Sequence, residues 1–264
     1  MNEYAIERNS SKSIHYFELL IALAKKDLKV RYKSASLGFM WAILNPLLMM
    51  VVLSIIFSLV FKVKTEAPYS VFVLCGLIPW TFFNFSLSCA TNSIVDNSNL
   101  IKKVYFPREI IPISVILANL FNFCLSLIIL FIFLLIFKIE ITIYYFLAPI
   151  AIIIQFFFVC GMCLLTSGLN VYFRDVRYIV EAGLLFLFYL TPVFYPVQMV
   201  PERFRDIFML NPMAGIIVFY REIFLNAHLP SLYLVTTTTI SSLLMFIVGF
   251  YVFKKCEPAF ADLI

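Results

Sequence analysis

The chain has 264 residues, a formal net charge of +5, 63% hydrophobic residues and only 13% charged residues. Soluble domains carry about 25% charged residues, and surface-to-volume scaling limits how much apolar surface a soluble core can hide. The composition therefore excludes an ordinary soluble domain and indicates a protein whose solvent is lipid. Because the apolar runs are long and do not alternate with polar residues, we expect spanning helices and not a barrel.

Residues 1–33 are predicted to form a cytoplasmic N-terminus that ends in an amphipathic helix. The first thirteen residues are polar and lack the apolar region and cleavage site of a secretory signal. In residues 14–33 the apolar side chains recur on one helical face, namely Phe17, Leu20, Ile21, Ala24 and Leu28. Such a helix is predicted to lie on the bilayer surface, either as an anchor to anionic lipid or as a platform that also touches a cytoplasmic partner.

Six hydrophobic tracts follow, and each reaches the roughly 20 residues that cross about 30 Å of hydrocarbon. The tracts are residues 35–61, 67–95, 110–137, 141–173, 182–201 and 223–253. We therefore predict an all-α integral membrane protein whose six transmembrane helices lie within residues 34–254. Residues 255–264 are predicted to form a cytoplasmic tail.

Basic residues between the tracts predict the orientation of the chain. They are frequent in the N-terminal segment, around Lys102 and around Arg174, and fewer in the alternate loops that contain Lys62, Lys138 and Arg221. Cytoplasmic loops carry the excess of Lys and Arg, so we expect both termini to be cytoplasmic in a multi-pass protein.

Residues 196–226 do not have the pattern of a simple span. Their longest uncharged run, residues 207–220, is short for a crossing and is interrupted at Asn211-Pro212. Runs of this length are often re-entrant or interfacial. We therefore predict a re-entrant pair of short helices before the final span, broken near Asn211-Pro212.

The sequence lacks the residue patterns of the common membrane enzymes. It contains no phosphate-binding loop of the form G-x-x-x-x-G-K-[ST] and no D-x-D pair. Cys160 and Cys163 have the spacing of a metal or redox motif, but they lie in an apolar run and are better explained as small buried side chains. We therefore expect no catalytic residue, no metal site and no cofactor on this chain, which disfavours a glycosyl or phosphoglycosyl transferase.

Several segments in order along the chain resemble one family. They are KVRYKSASLGFMWAILNP at 29–46, GLIPW at 76–80, NLIKKVYFPRE at 99–109, LNVYFRDV at 169–176 and TPVFYP at 191–196, followed by Asn211-Pro212. The sequence resembles the type 2 ABC exporter permeases, and is most similar to those that export O-antigen, teichoic acid and related polysaccharides on a polyprenyl diphosphate carrier.

The resemblance implies a transport subunit of the bacterial inner membrane and not an enzyme. It implies a homodimer with the conduit at the dimer interface, a lipid-linked polysaccharide as substrate, and no nucleic acid among the partners. Two copies of a separate ATPase would dock on the cytoplasmic face and use ATP and Mg²⁺. An exporter of drugs or other small molecules with the same fold remains an alternative, although the segment RYKSASLG at 31–38 favours a polysaccharide.

The segment 92–106, between the second and third tracts, is a candidate coupling element. Polar residues at 96–99 can cap a short helix, and basic and apolar residues follow them. A short helix of this kind is suited to a groove of the ATPase, whereas the alternative is a solvated loop with cytoplasmic positive charge. The candidate coupling residues are Asp96, Asn99, Leu100, Lys102 and Lys103.

Two further groups of residues are candidates for binding substrate. Where the surface helix meets the first span, the carrier diphosphate could be bound by Arg31, Lys33 and Lys29, with Arg31 supplying a planar fork. The alternative is that these residues extend to anionic headgroups. Aromatic side chains on the predicted outer side could stack on sugars or form an ordinary interfacial belt, and they are Trp80, Phe82, Phe83, Tyr189, Phe194 and Tyr195.

Overall fold

The computed structural model describes residues 3–33, 40–63, 65 and 67–264, with the backbone alone for residues 3–15, 31, 32, 42, 59 and 206. This part of the chain is helical and contains no strand. We number its helices α1 (Glu3–Lys33), α2 (Met40–Ser54), α3 (Tyr69–Asp96), α4 (Ser98–Lys103), α5 (Ile110–Ile136), α6 (Ala148–Tyr172), α7 (Val176–Leu190), α8 (Glu202–Met209), α9 (Pro212–Phe224), α10 (Leu232–Cys256) and α11 (Phe260–Leu263).

Four helical stretches are long and apolar enough to cross a membrane. They are Tyr69–Asp96, Ile110–Ile136, Ile143–Tyr172 and Leu232–Leu263. The α8–α9 pair would add a fifth if it is counted as one broken span. The protein is thus an integral membrane protein of helices, whereas the count of six spans stays a prediction.

The first and fifth predicted spans differ from simple long helices. The described residues of the first tract form the 15-residue α2, which continues as a π-helical turn at Ile55–Val60. The fifth tract was expected to run to residue 201, but α7 ends at Leu190. Pro192 explains this end, because proline disfavours helical backbone in the residue before it and has no N–H to donate.

α3 is the central helix of the bundle. Of its most apolar window, 78% is buried inside the protein, compared with 17% for α10. It packs against α5, α6, α2, α9 and α7. Its interior side chains form one apolar core with those of the surrounding helices.

α6 and α10 form the most extensive helix contact, and two glycines allow it. A Cβ built on Gly249 would lie 2.0 Å from the carbonyl oxygen of Gly161. A Cβ on Gly161 would lie 2.5 Å from the carbonyl of Met245. No larger residue fits at either position, which is how small residues let helices approach closely in lipid.

A second apolar cluster joins the helix ends around α4, which we call the α4 end of the bundle. It contains Ile101 of α4, Phe106, Phe253 of α10 and Phe260 of α11. α1 adds its own apolar residues, Leu19, Leu20 and Leu23.

α1 is longer than the predicted 14–33 helix and packs against α5, while its Phe17 is 63% exposed. Its position on a bilayer surface stays a prediction.

The C-terminal residues, expected as a tail from residue 255, fold back onto the bundle. Phe260 is fully buried and its ring lies 5.3 Å from that of Phe253. Lys254 bridges two carboxylates, with Nζ 2.8 Å from Glu109 Oε2 and 2.9 Å from Glu257 Oε2. The apolar ring and the ion pairs explain why this segment is packed.

α8 and α9 meet at an angle of 102°, with the break at residues 210–211, where the sequence predicts it. The Asn211 side chain accepts a hydrogen bond from the Met213 N–H and donates to the Thr191 hydroxyl. α9 is buried against α3, α10 and α6. Its re-entry into a membrane stays a prediction.

The helix of the final tract begins later than the sequence indicated. Residues 223 and 224, counted in that tract, are the last residues of α9. α10 begins at Leu232, after Pro230 and a Ser231 side chain that accepts a hydrogen bond from the Leu234 N–H. A proline followed by a serine cap is a local start signal that hydropathy alone does not register.

Candidate functional site

The predicted coupling segment contains a short helix, α4, as expected. The polar run before it acts differently from the prediction, however. Asn97 occupies the N-cap position without a side-chain bond to α4; its Nδ2 instead donates to Ser93 O of α3 at 2.8 Å, and its Oδ1 accepts from Lys26 Nζ of α1 at 3.1 Å. Asp96 is the last residue of α3 and is exposed. Asn97 therefore connects α1, α3 and α4.

α4 is anchored by one side and exposed on the other. Ile101 is buried in the apolar cluster of the α4 end. Lys102, Lys103 and Asn99 are exposed, and Leu100 is half-buried against the same cluster. These candidates are thus brought together on one short element that presents basic side chains to solvent.

Tyr105 and Val104 extend this surface, and the sequence reasoning missed them. Tyr105 is 98% exposed and Val104 is 51% exposed, directly after the two lysines. Aromatic residues are enriched in protein interfaces and among the residues that contribute most to binding, so the exposed ring of Tyr105 is a candidate contact. Adjacency to the predicted coupling residues was the only signal for it in the sequence.

The carrier candidates lie at the end of α1. Lys29 and Lys33 are both exposed there. The side chain of Arg31 lies outside the described residues. Lys29 and Lys33 are thus two accessible cations close to Arg31 in the sequence. The role of Arg31 in binding diphosphate stays a prediction.

The six aromatic candidates divide into a buried and an accessible set. Trp80, Phe82 and Phe83 are buried within the core around α3. By contrast, Tyr189 is 61% exposed, and Phe194 and Tyr195 are half-buried. The six rings therefore do not line one accessible surface, because the rings of Trp80, Phe82 and Phe83 are enclosed by the core.

Phe188, which the sequence reasoning missed, connects the two sets. Its ring centroid lies 5.5 Å from Trp80 and 5.4 Å from Phe194. Phe194 in turn lies 5.1 Å from Tyr195. The result is a continuous chain of rings from the middle of α3 to the end of α7, at spacings typical of favourable aromatic pairs.

A cavity of about 440 Å³ borders this chain of rings, between α2, α3 and α7. Besides Trp80 and Phe188 its lining carries hydrogen-bonding groups, including Thr81, Asn84 and Glu181. Rings combined with hydroxyl, amide and carboxylate groups suit a ligand with apolar faces and hydroxyl edges.

Arg221 is the largest correction to the sequence reasoning. It was placed among the loop charges, but it lies in α9 and is only 5% exposed. Its Nη1 and Nη2 donate to the carbonyls of Pro192 and Val193, both at 2.6 Å. Its guanidinium carbon lies 3.7 Å from the centre of the Phe72 ring.

Cys160 and Cys163 are buried in the packed interior of α6. Their burial agrees with the interpretation as small apolar side chains. In the described part of the chain, no three His, Cys, Asp or Glu side chains are grouped so that they could hold a metal ion.

Comparisons with known proteins identify the family of this chain. The ABC-2 type transporter family model matches residues 18–225. An O-antigen export system permease protein RfbA from Klebsiella pneumoniae is 34% identical over 251 residues, covering 95% of this chain and 96% of the relative. The RfbA protein of Myxococcus xanthus is 35% identical over 217 residues, covering 81% of this chain and 83% of the relative.

A more distant relative is the polysialic acid transport protein KpsM of Escherichia coli, which is 22% identical over 248 residues, or 90% of this chain and 93% of the relative. The family model covers well over half of the chain, and the relatives above 30% identity cover most of it. The resemblance found in the sequence is confirmed: the chain belongs to the ABC-2 type transporter family.

Proposed function

We propose that this chain is the transmembrane subunit of an ABC transporter that exports a polysaccharide, with ATP hydrolysis supplied by a separate subunit. The observation that carries the proposal is similarity along nearly the whole chain to relatives named as O-antigen export permeases. The chain of rings and the polar cavity beside it support a saccharide as cargo.

The proposed cargo is a polysaccharide linked to a polyprenyl diphosphate carrier, such as O-antigen or teichoic acid. Lys29 and Lys33 are exposed at the end of α1, where cations attract a diphosphate at the membrane surface. Two copies of the chain would enclose the conduit. α2 and α7, which border the polar cavity, expose several apolar side chains that a second copy could cover, including Met49, Val52, Leu185 and Phe186.

The proposed orientation puts the chain in the bacterial inner membrane with both termini and the α4 end in the cytoplasm. Two ATPase subunits would then contact α4 and Tyr105. The α8–α9 break and the end of α7 would lie at the outer side. The excess of basic residues at the α4 end supports this orientation.

The test is reconstitution of the chain with its partner ATPase subunit. The complex in vesicles should hydrolyse ATP and transfer carrier-linked polysaccharide to the lumen, and the chain alone should do neither. Export of dyes or drugs without polymer transfer would favour the small-molecule alternative. Sugar transfer by the isolated chain would instead indicate a transferase.

A separate experiment tests the diphosphate site at Arg31. Hydrogen bonds to charged groups contribute about 1.5–3 kcal/mol, so Arg31→Ala should lower the affinity for carrier-linked substrate about tenfold or more. Arg31→Lys should restore only part of it, because an ammonium lacks the planar fork. Polymer exported per assembled transporter is the measurement. If Arg31→Ala exports normally, the residue is an anchor to lipid headgroups.

A further inference from the structure

The backbone directly after α7 is held by side chains of two other helices. Arg221 of α9 donates Nη1 to the carbonyls of residues 192 and 195, at 2.6 and 3.4 Å, and Nη2 to that of residue 193 at 2.6 Å. The hydroxyl of Tyr69, at the start of α3, donates to the carbonyl of residue 194. Four consecutive carbonyls, which no helix satisfies, are thus bound by two side chains.

Gly76 makes room for this arrangement. A Cβ at this position of α3 would lie 2.6 Å from the carbonyl oxygen of Val193 and 2.9 Å from Arg221 Nη2. Any other residue would push the segment or the guanidinium away. We call Tyr69, Gly76 and Arg221 the carbonyl clamp.

The charge of Arg221 indicates that packing alone does not explain the clamp. Buried charges usually pair with an opposite charge, yet no ion pair within the described ranges includes Arg221. A charged group within a membrane protein is costly and is usually kept for function. A guanidinium offers what the apolar residues of α9 cannot, namely several donors in a rigid plane that can hold several carbonyls at once.

The clamped backbone carries accessible rings of the aromatic chain. Phe194 contacts the rings of Phe188, Tyr189 and Tyr195, at centroid distances of 5.4, 6.0 and 5.1 Å. Irregular backbone is tolerated at membrane depth only where protein satisfies its polar groups. The clamp thus meets the condition for these rings to project from a non-helical segment.

We propose that Arg221 is a positioning residue for the exported saccharide. Together with Tyr69 and Gly76 it fixes residues 192–195, so that Phe194 and Tyr195 hold their rings in place against the passing sugar. This inference rests on the proposed function. The added point is that the positions of the rings at the outer end of the conduit depend on the buried Arg221, which does not itself contact the polymer.

The test uses Arg221→Lys in the reconstituted permease–ATPase complex. A lysine keeps the charge but cannot hold three carbonyls in one plane, so the apparent KM for carrier-linked polysaccharide should rise about tenfold. ATP hydrolysis without polymer should stay within about twofold of wild type, because the α4 end is unchanged. Arg205→Lys is the matched control, since Arg205 also donates to carbonyls, those of Val200 and Gln198, but lies outside the clamp.

A double-mutant cycle separates positioning from general stability. If Arg221 acts through the ring of Phe194, Arg221→Lys should have little further effect on KM once Phe194→Ala is present. Tyr69→Phe, which removes one hydrogen bond and keeps the ring, serves as a second variant if Arg221→Lys does not assemble. It should raise KM by a smaller factor.

Two outcomes would overturn the inference. One is a KM for Arg221→Lys equal to that of wild type, whether or not assembly and polymer-free ATP hydrolysis fall. The other is multiplicative effects of Arg221→Lys and Phe194→Ala on KM. If the wild-type complex transfers no polysaccharide at all, the proposed function fails, and that result is distinct from failure of the clamp.

Discussion

The glycines of this protein have different surroundings, and these determine whether replacement by alanine would destabilise the protein. Gly76 faces the carbonyl of Val193 and the guanidinium of Arg221 within 3 Å of a built Cβ. Gly183 of α7 has no atom within 4 Å of the same position. The sequence shows two glycines in apolar helices, and only the tertiary contacts distinguish them.

Gly76→Ala should therefore destabilise the protein while Gly183→Ala should not. Overpacking in a dense core costs about 1–3 kcal/mol, whereas replacing a helical glycine in open space gains up to about 1 kcal/mol. Thermal unfolding of the two variants in detergent, followed by intrinsic fluorescence, is the measurement. A Gly76→Ala variant as stable as Gly183→Ala would mean that the clamp backbone moves without cost.

Arg221 shows why part of the site could not be predicted. In the sequence it stands beside Glu222 at the end of an apolar run, which is the usual pattern of a loop boundary. Its burial depends on the carbonyls of residues 192–195, which become available only because Pro192 ends α7 nearby. That pairing of two distant segments leaves no periodic signal.

At the level of elements, α4 has one buried side and one exposed side. Its apolar side chain Ile101 enters the cluster that also contains Phe253 and Phe260. Its other side and the following residues present Lys102, Lys103 and Tyr105 to solvent. α4 is thereby packed in one cluster with the ends of α10 and α11.

Tyr105→Ala should weaken ATPase binding. Aromatic residues at the centre of an interface often contribute 2 kcal/mol or more, so the dissociation constant should rise about tenfold or more. Tyr233→Ala is the control, since Tyr233 is also exposed but lies at the opposite end, at the start of α10. Binding of the purified ATPase to the permease in nanodiscs measures both. Equal affinities for the two variants would place the ATPase elsewhere.

Element boundaries were predictable where composition changes sharply and not where capping decides. The third tract, residues 110–137, matches α5 closely because charged residues stand on both sides of it. The fifth and sixth tracts were misjudged, since proline and serine, and not charge, end α7 and begin α10. The folding of the C-terminal residues onto the bundle was missed because it depends on one ring, Phe260, and on ion pairs with a distant loop.

For the whole molecule, the class of fold follows from composition, because a chain with this apolar content has few alternatives to a helical bundle in lipid. The number of crossings does not follow in the same way. α7, with 15 residues, is shorter than the bilayer requires, and the 15-residue α2 continues as a π-helical turn to Val60. Hydropathy alone therefore does not decide whether these two helices cross the bilayer.

Thiol labelling tests the orientation. In a background without the six native cysteines, single cysteines at Lys103 and Asp262 should be labelled only from the cytoplasm, and those at Glu202 and Leu229 only from outside. All four positions are exposed, so access does not limit the reaction. Labelling of intact cells with an impermeant maleimide at position 103 would reverse the proposed orientation.

The glycine contact between α6 and α10 also has a consequence for biosynthesis. α6 leaves the ribosome well before α10, with α7, α8 and α9 between them. Until α10 inserts, the face of α6 around Gly161 has only lipid against it, and lipid chains cannot reproduce a contact in which one helix backbone lies directly on another. The newly made protein therefore passes through a stage in which its most extensive helix interface is missing. A chain stalled at that stage would be an easy substrate for membrane proteases.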